Sequence, residues 1–163
     1  MAQSTGAIPK SKFQIQLSTD GSSFVDKSGA AVSVTHTGEE QVSGAQNTAD
    51  GDAPVVTAGN KHSAATITLR GIYTKVSAEF WDYIRDRWEG SSKTIYLRWA
   101  PEGGIGTVVG NEQYLAASDA GTAFPCVIKQ CNTPELDAGD GAPAMVSVVL
   151  ECPKVVRGTT TTA

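Results

Sequence analysis

The 163-residue chain is long enough for one domain with a real core and too short to favour two. Its 18% charged residues, 17 glycines and many small or β-branched side chains suit a turn-rich β protein, while a net charge of −4 excludes a broad basic surface for gripping DNA or an anionic membrane. No apolar run reaches spanning length, and Met1–Gly6 carries neither the basic nor the apolar part of a signal peptide, so a soluble product made in a cytoplasm is expected.

Residues 1–11, small and polar around Pro9, read as an N-terminal arm, and residues 157–163, ending in a threonine run, as a C-terminal tail. Either is disordered or orders on a neighbouring subunit. The domain is expected over residues 12–156. Phe13–Leu17 alternates as a half-buried strand, Thr19–Ser22 is a hairpin turn signal, and Phe24 and Val25 continue the strand pattern. After the turn at Ser28 and Gly29, Val32, Val34 and His36 alternate with Ser33, Thr35 and Thr37, predicting one apolar and one hydroxyl-lined face.

Gly38–Asn60 reads as one long acidic, flexible loop, and segments of that length inside a compact domain are usually functional or disordered. It carries Glu39, Glu40, Asp50 and Asp52 and no base before Lys61. Beyond it, Ile67 and Leu69 point one way while Thr66, Thr68 and Arg70 point the other, which repeats the earlier strand and predicts an antiparallel pair with one face in water.

Val76–Gly90 is the segment that reads as a helix. Ser77 is placed to cap it, Glu79 lies in its first turn, and Gly90 is expected as a left-handed stop. Val76 and Trp81 are spaced as a hydrophobic staple, and Phe80, Trp81, Ile84 and Trp88 fall within about 100° of helical arc opposite Asp82, Arg85, Asp86 and Glu89. Such a face is expected to pack on an apolar sheet. Thr94–Trp99 then predicts a strand, stopped by Pro101, Gly103 and Gly104, and Val108–Ala117 a weaker one.

Phe124–Cys131 and Ala144–Val156 are expected as two strands joined by turn residues with three acids, Glu135, Asp137 and Asp140. A register that sets Cys126 opposite Cys152 puts Cys126, Ile128, Val146, Val148 and Leu150 on one face, and Val127, Lys129, Ser147, Val149 and Glu151 on the other. The two cysteines are then either buried free thiols, as a reducing cytoplasm favours, or close enough to cross-link.

The sequence has no dinucleotide-binding glycine motif, phosphate loop, His-Glu-x-x-His or nucleophile elbow, so no catalytic residues and no cofactor are assigned. Three cysteines without Cys-x-x-Cys spacing and two distant histidines, His36 and His62, argue against zinc. Asp137–Gly141 imitates a piece of a calcium loop without its twelfth-position ligand or flanking helices, so no metal is expected there, and Asp50–Asp52 reads as a solvated turn.

The order of strand, long loop and strand (Val32–Tyr73), helix (Ser77–Glu89), strand (Thr94–Trp99) and closing hairpin (Cys126–Cys152) resembles the major tail protein of long-tailed bacteriophages, the tail-tube subunit, over roughly residues 12–156. That family is related to the tube proteins of contractile tails and type VI secretion. The resemblance implies a mainly β fold, an antiparallel β-sandwich or barrel with one flanking helix and long inter-strand loops. It also implies a non-enzymatic virion protein, made in the host cytoplasm, whose six copies form a ring. Rings would stack through the long loop, with Glu39, Glu40, Asp50 and Asp52 as candidates, and through terminal arms.

On that mapping the lumen candidates are Ser33, Thr35, Thr37, Thr66, Thr68, Arg70, Val127, Lys129, Ser147, Val149 and Glu151. Glu135, Asp137 and Asp140 form the second acidic loop. The implied partners are further copies, a tape measure, a tail terminator, and viral DNA that passes without specific binding; no membrane is involved. A bore that held each phosphate would stall the duplex. Arg70 and Lys129 run against that, so either the register is off or they pair with Glu151 and a neighbour's acid. Two other classes stay open. One is a monomeric ligand- or carbohydrate-binding β-sandwich using Trp99, Tyr96 and Tyr114 as an aromatic platform, although the alternation of Trp99 with Ile95 and Leu97 favours burial. The other is a different virion ring, such as a tail terminator.

Overall fold

Alternation of apolar and hydroxyl residues makes the central strands two-faced, and the fold buries their apolar faces between two antiparallel sheets. The computed structural model describes residues 12–162, so the expected N-terminal arm lies outside the described residues. Its strands are β1 (Gln14–Ser18), β2 (Val25–Asp26), β3 (Ala31–Gly38), β4 (Gln41–Gln46), β5 (Val55–His62), β6 (Ala65–Ile72), β7 (Thr94–Ala100), β8 (Glu112–Ala117), β9 (Cys126–Cys131), β10 (Met145–Cys152) and β11 (Lys154–Thr159). A helix, α1 (Phe80–Glu89), lies between β6 and β7. The protein is thus mainly β with one flanking helix, as expected.

One sheet runs β3–β6–β10–β9, and the other runs β2–β1–β7–β8–β11. Strand β7 belongs to both: Thr94 and Ile95 pair with β9, while its later residues pair with β1 and β8. Between the sheets lie Ile15, Leu17 and Leu97 from one side and Ile67, Leu69, Val148 and Leu150 from the other, all fully buried, with Phe80 and Ile84 of α1 closing one flank. Burying each such side chain is favourable by about 1.5–3 kcal/mol.

Gly71 makes the helix contact possible. A Cβ there would stand 2.6 Å from the Phe80 ring and 2.8 Å from the Ala30 carbonyl oxygen. The helix also covers the part of β9 that lacks a strand partner on that side. Trp81 Nε1 donates to the Asn132 carbonyl at 3.0 Å and Arg85 Nη1 to that of Cys131 at 3.2 Å, so two side chains do the work of a neighbouring strand.

Several expectations are corrected. The helix starts at Phe80, not at Ser77, because Ala78 adopts a left-handed φ of 59°; its backbone N–H is accepted by Asp82 Oδ2 at 2.7 Å in place of a serine cap. Val76 is exposed and off the helix, so it forms no staple with Trp81. Gly90 is extended, with φ −73°, and not left-handed. Val108 and Val109 are exposed in a turn, and the strand they were expected to start begins at Glu112.

The expected strand Ala144–Val156 is two strands. Pro153 has no N–H to give a ladder, and the chain leaves one sheet at Cys152 to join the other at Lys154. Residues 157–159 accordingly belong to β11, and Thr160 is fully buried with its N–H bonded to the Asn111 carbonyl at 2.7 Å.

The largest correction concerns Gly38–Asn60. That stretch is no flexible loop: most of it is the β4–β5 hairpin, paired from Gln41 with His62 to Gln46 with Val55.

Candidate functional site

The sheet β3–β6–β10–β9 brings every predicted lumen candidate to one face. Three rungs define it: Ser33, Arg70 and Ser147; Thr35, Thr68 and Val149; and Thr37, Thr66, Glu151 and Val127. Lys129 lies on the same side, its Nζ donating to Glu151 Oε2 at 2.9 Å, which is one of the two alternatives left open for it. Arg70 is exposed and makes no ion pair among the described residues.

The opposite face of this sheet is dry: Ile67, Leu69, Cys126, Ile128, Val146, Val148 and Leu150 are all buried. Two bulges adjust the pattern. Between Ala31 and Ser33 the register with β6 slips by one, which turns Val32 out to 46% exposure and removes it from the apolar face assigned to it. His36, placed on that face with Val32, is also exposed, its Nε2 3.0 Å from Glu39 Oε2. Val34 keeps its place, opposite Leu69 and packed on the core. A second bulge, at Lys129, sends Gln130 to the wet face opposite Val149. Sequence alternation alone misses Gln130, because a bulge leaves no mark in a period of two.

The four acids assigned to one long loop are not together. Asp50 and Asp52 lie at the tip of the β4–β5 hairpin and Glu39 and Glu40 at its root. Glu39 is no free loop acid: with φ 55° it turns its carboxylate back to His36 and accepts the Val155 N–H at 3.0 Å. Gly38, with φ 89°, precedes it, and a Cβ there would lie 2.3 Å from the Ala64 carbonyl oxygen. The hairpin root is therefore a shaped junction, completed by Glu40 and Ser63, which exchange hydrogen bonds at 3.0 Å.

Beyond that root the hairpin has no core. All six residues of β4 are exposed, and β5 is exposed except for Gly59. Val42, Val55 and Val56 stand out from it, Val56 at 66% exposure, and sequence reading did not single them out. Glu135, Asp137 and Asp140 occupy the β9–β10 connection at the other end of the wet sheet, around Leu136, which is 84% exposed. Asp137 and Asp140 accept the backbone N–H groups of Gly139 and Ala142, an ordinary turn use of carboxylates.

Of the aromatic platform needed for glycan binding, Trp99 is not presented to solvent, and Tyr96 and Tyr114 are half-buried. Trp99 is 8% exposed and stacks on Tyr114 with ring centroids 5.6 Å apart. The Tyr114 phenol donates to Glu112, which holds its proton more tightly than usual, while that same hydrogen bond and Arg157 keep Glu112 ionised to lower pH. Among the described residues no group of three or more His, Cys, Asp or Glu side chains could hold a metal ion.

No protein-family model matches the sequence, and no curated protein matches it. Solved structures do match. A chain in the cryo-EM structure of the anti-feeding prophage cap, described as its tube-terminating cap, aligns with a TM-score of 0.62 at 16% identity, covering 98% of this chain and 96% of that one. A chain of the PVC sheath–tube complex, from an extracellular contractile injection system in the extended state, aligns at 0.61 and 15%, covering 98% and 100%. A chain from the tail of an empty GTA particle refined with C6 symmetry aligns at 0.55 and 14%, covering 96% and 100%. The fold is one shared with chains of tail-like particles. At such identities the likeness is one of fold, and function has to be argued from surfaces.

Proposed function

We propose that this protein is a non-enzymatic structural subunit of a tail-like tube. Six copies join edge to edge so that their β3–β6–β10–β9 sheets close into one barrel around a water-filled bore, and rings stack into a conduit. The observation that carries this is the split character of that sheet, dry on one side along β6, β10 and most of β9 and hydroxyl-lined on the other, in a chain whose own second sheet and helix cover only the dry side. Closing six such sheets removes strand edges that would otherwise template aggregation. The bore would be lined by Ser33, Thr35, Thr37, Thr66, Thr68, Arg70, Val127, Ser147 and Val149, with Lys129 neutralised by Glu151 and Arg70 left for an acid of a neighbouring copy. Such a wall lets a polyanion pass without holding each phosphate.

The β4–β5 hairpin is the stacking element of this reading. Its exposed valines would be covered by an adjacent ring, and Asp50 and Asp52 would reach beyond it. The assembled tube belongs to a virion or virion-like tail, with a tape measure, a terminator and transiting DNA as partners. The likeness to a tube-terminating cap supports a second reading, a single ring that ends a tube.

Electron microscopy of the purified protein in negative stain separates these. Rings that elongate into tubes are expected; single rings that never stack favour the cap. A species that stays monomeric at high concentration, alone and with tail partners, overturns both.

A further inference from the structure

Three thiols lie in the wet sheet, and two of them face each other. The β9–β10 register pairs Ile128 with Leu150 and Val127 with Glu151, so one step further it sets Cys126 opposite Cys152. The Ile128 N–H points away from β10, to the Lys93 carbonyl oxygen at 2.9 Å. Cys126, two residues earlier, is turned the same way, so Cys126 and Cys152 form a non-hydrogen-bonded pair of the ladder. In such pairs the Cα atoms stand about 4.5 Å apart and the side chains approach most closely, inside the range a disulfide spans. The neighbouring Cys152 sulfur and burial hold the Cys126 proton well above its usual range and leave Cys152, whose thiol donates to the Lys154 carbonyl oxygen at 3.4 Å, the more acidic partner.

We propose that Cys126 and Cys152 are a dithiol site that a small-molecule disulfide oxidises to a cross-strand bond, pinning β9 to β10 once the protein leaves a reducing cytoplasm. Both thiols are buried in the folded chain, Cys152 at the last position of β10. Pro153 follows it and gives no ladder hydrogen bond, so the opening that admits the reagent is a local one at the end of the strand. The Cys152 thiolate attacks one sulfur of the reagent, forming a mixed disulfide and releasing one thiolate. Cys126, its proton lost to solvent, then attacks the Cys152 sulfur and releases the second. Two protein thiols are oxidised, one external disulfide is reduced to two thiols, and no further oxidant is needed. Cys131 is outside the pair: it lies past the bulge, opposite Val148, with its carbonyl held by Arg85. The inference goes beyond tube assembly and is tested on the unassembled chain.

The test is incubation of the full chain with oxidised glutathione at mildly alkaline pH, followed by intact-mass measurement, non-reducing peptide mapping and thermal melting. The chain should lose the mass of two hydrogen atoms, the peptides carrying Cys126 and Cys152 should be joined, and the melting midpoint should rise by about 5–10 °C. C131S should behave identically. C126S should show no internal bond, only a glutathione adduct at most. Three titratable thiols after exposure, a bond that includes Cys131, or a midpoint that falls on oxidation would each overturn the proposal.

Discussion

The body of the protein and its β4–β5 hairpin obey the same pairing rules and end in opposite conditions. In the body, antiparallel ladders are backed by Ile67, Leu69, Val148 and Leu150, none with measurable exposure. In the hairpin the ladder is equally continuous, but Val42, Val55 and Val56 face solvent on every side. A two-stranded hairpin without a packed face is marginal in water. What holds this one is its root, where Gly38, Glu39, Glu40 and Ser63 tie it to β3, β6 and β11. The difference teaches that hydrogen bonding sets the shape of both regions, while only one of them contains its own reason to be apolar.

Substitutions on the two sides should separate sharply. Leu69→Ala removes a fully buried side chain and is expected to cost about 2–5 kcal/mol, read as a lowered urea midpoint. Val56→Asp should leave the unfolding free energy within about 0.5 kcal/mol of wild type, because none of the described residues covers the valine, and yet should abolish tube growth in electron micrographs. Equal destabilisation by both would erase the contrast. Gly71→Ala sharpens the body's half: its Cβ drives into the Phe80 ring, and a loss of about 1–3 kcal/mol is expected in the same urea titration.

The smallest effect concerns acid. The Asp20 carboxylate accepts the N–H groups of Ser23 and Ser22 and the Ser18 hydroxyl, and these bonds hold it well below the usual carboxylate range. Asp26 is lowered too: its partial burial acts upward but is outweighed by hydrogen bonds from Ser28 and Gln14. A lowered folded value means that the stabilisation is present above the unfolded pKa and is lost as pH falls through the folded one. Melting midpoints should therefore decline from about pH 4 downward, and Asp20→Asn should flatten part of that decline. An unchanged acid limb would remove Asp20 from the account.

Much of the body was legible because its signal is local and periodic. Thr66, Ile67, Thr68 and Leu69 alternate, and so do Val146–Leu150; a strand half in water has to be written that way. The same patterning brought all the lumen candidates to one face. The misses share a cause as well. Val32 and Gln130 sit at bulges, where one extra residue reverses a face without changing composition. Helix α1 starts late because Ala78 accepts a left-handed conformation that its side chain gives no reason to expect. The hairpin was hidden for a deeper reason: its valines have nothing to pack on among the described residues, so no amphipathic period marks them. Pro153 was read through as part of one strand, and only the partners of the residues on either side show that the chain changes sheet there.

Strand β7 begins in the wet sheet and ends in the other one, a single unbroken backbone shared by both layers. Separating the two layers would therefore mean bending or breaking that strand, together with its ladder bonds to β9, β1 and β8. The layers are joined by covalent backbone as well as by the packing of their side chains.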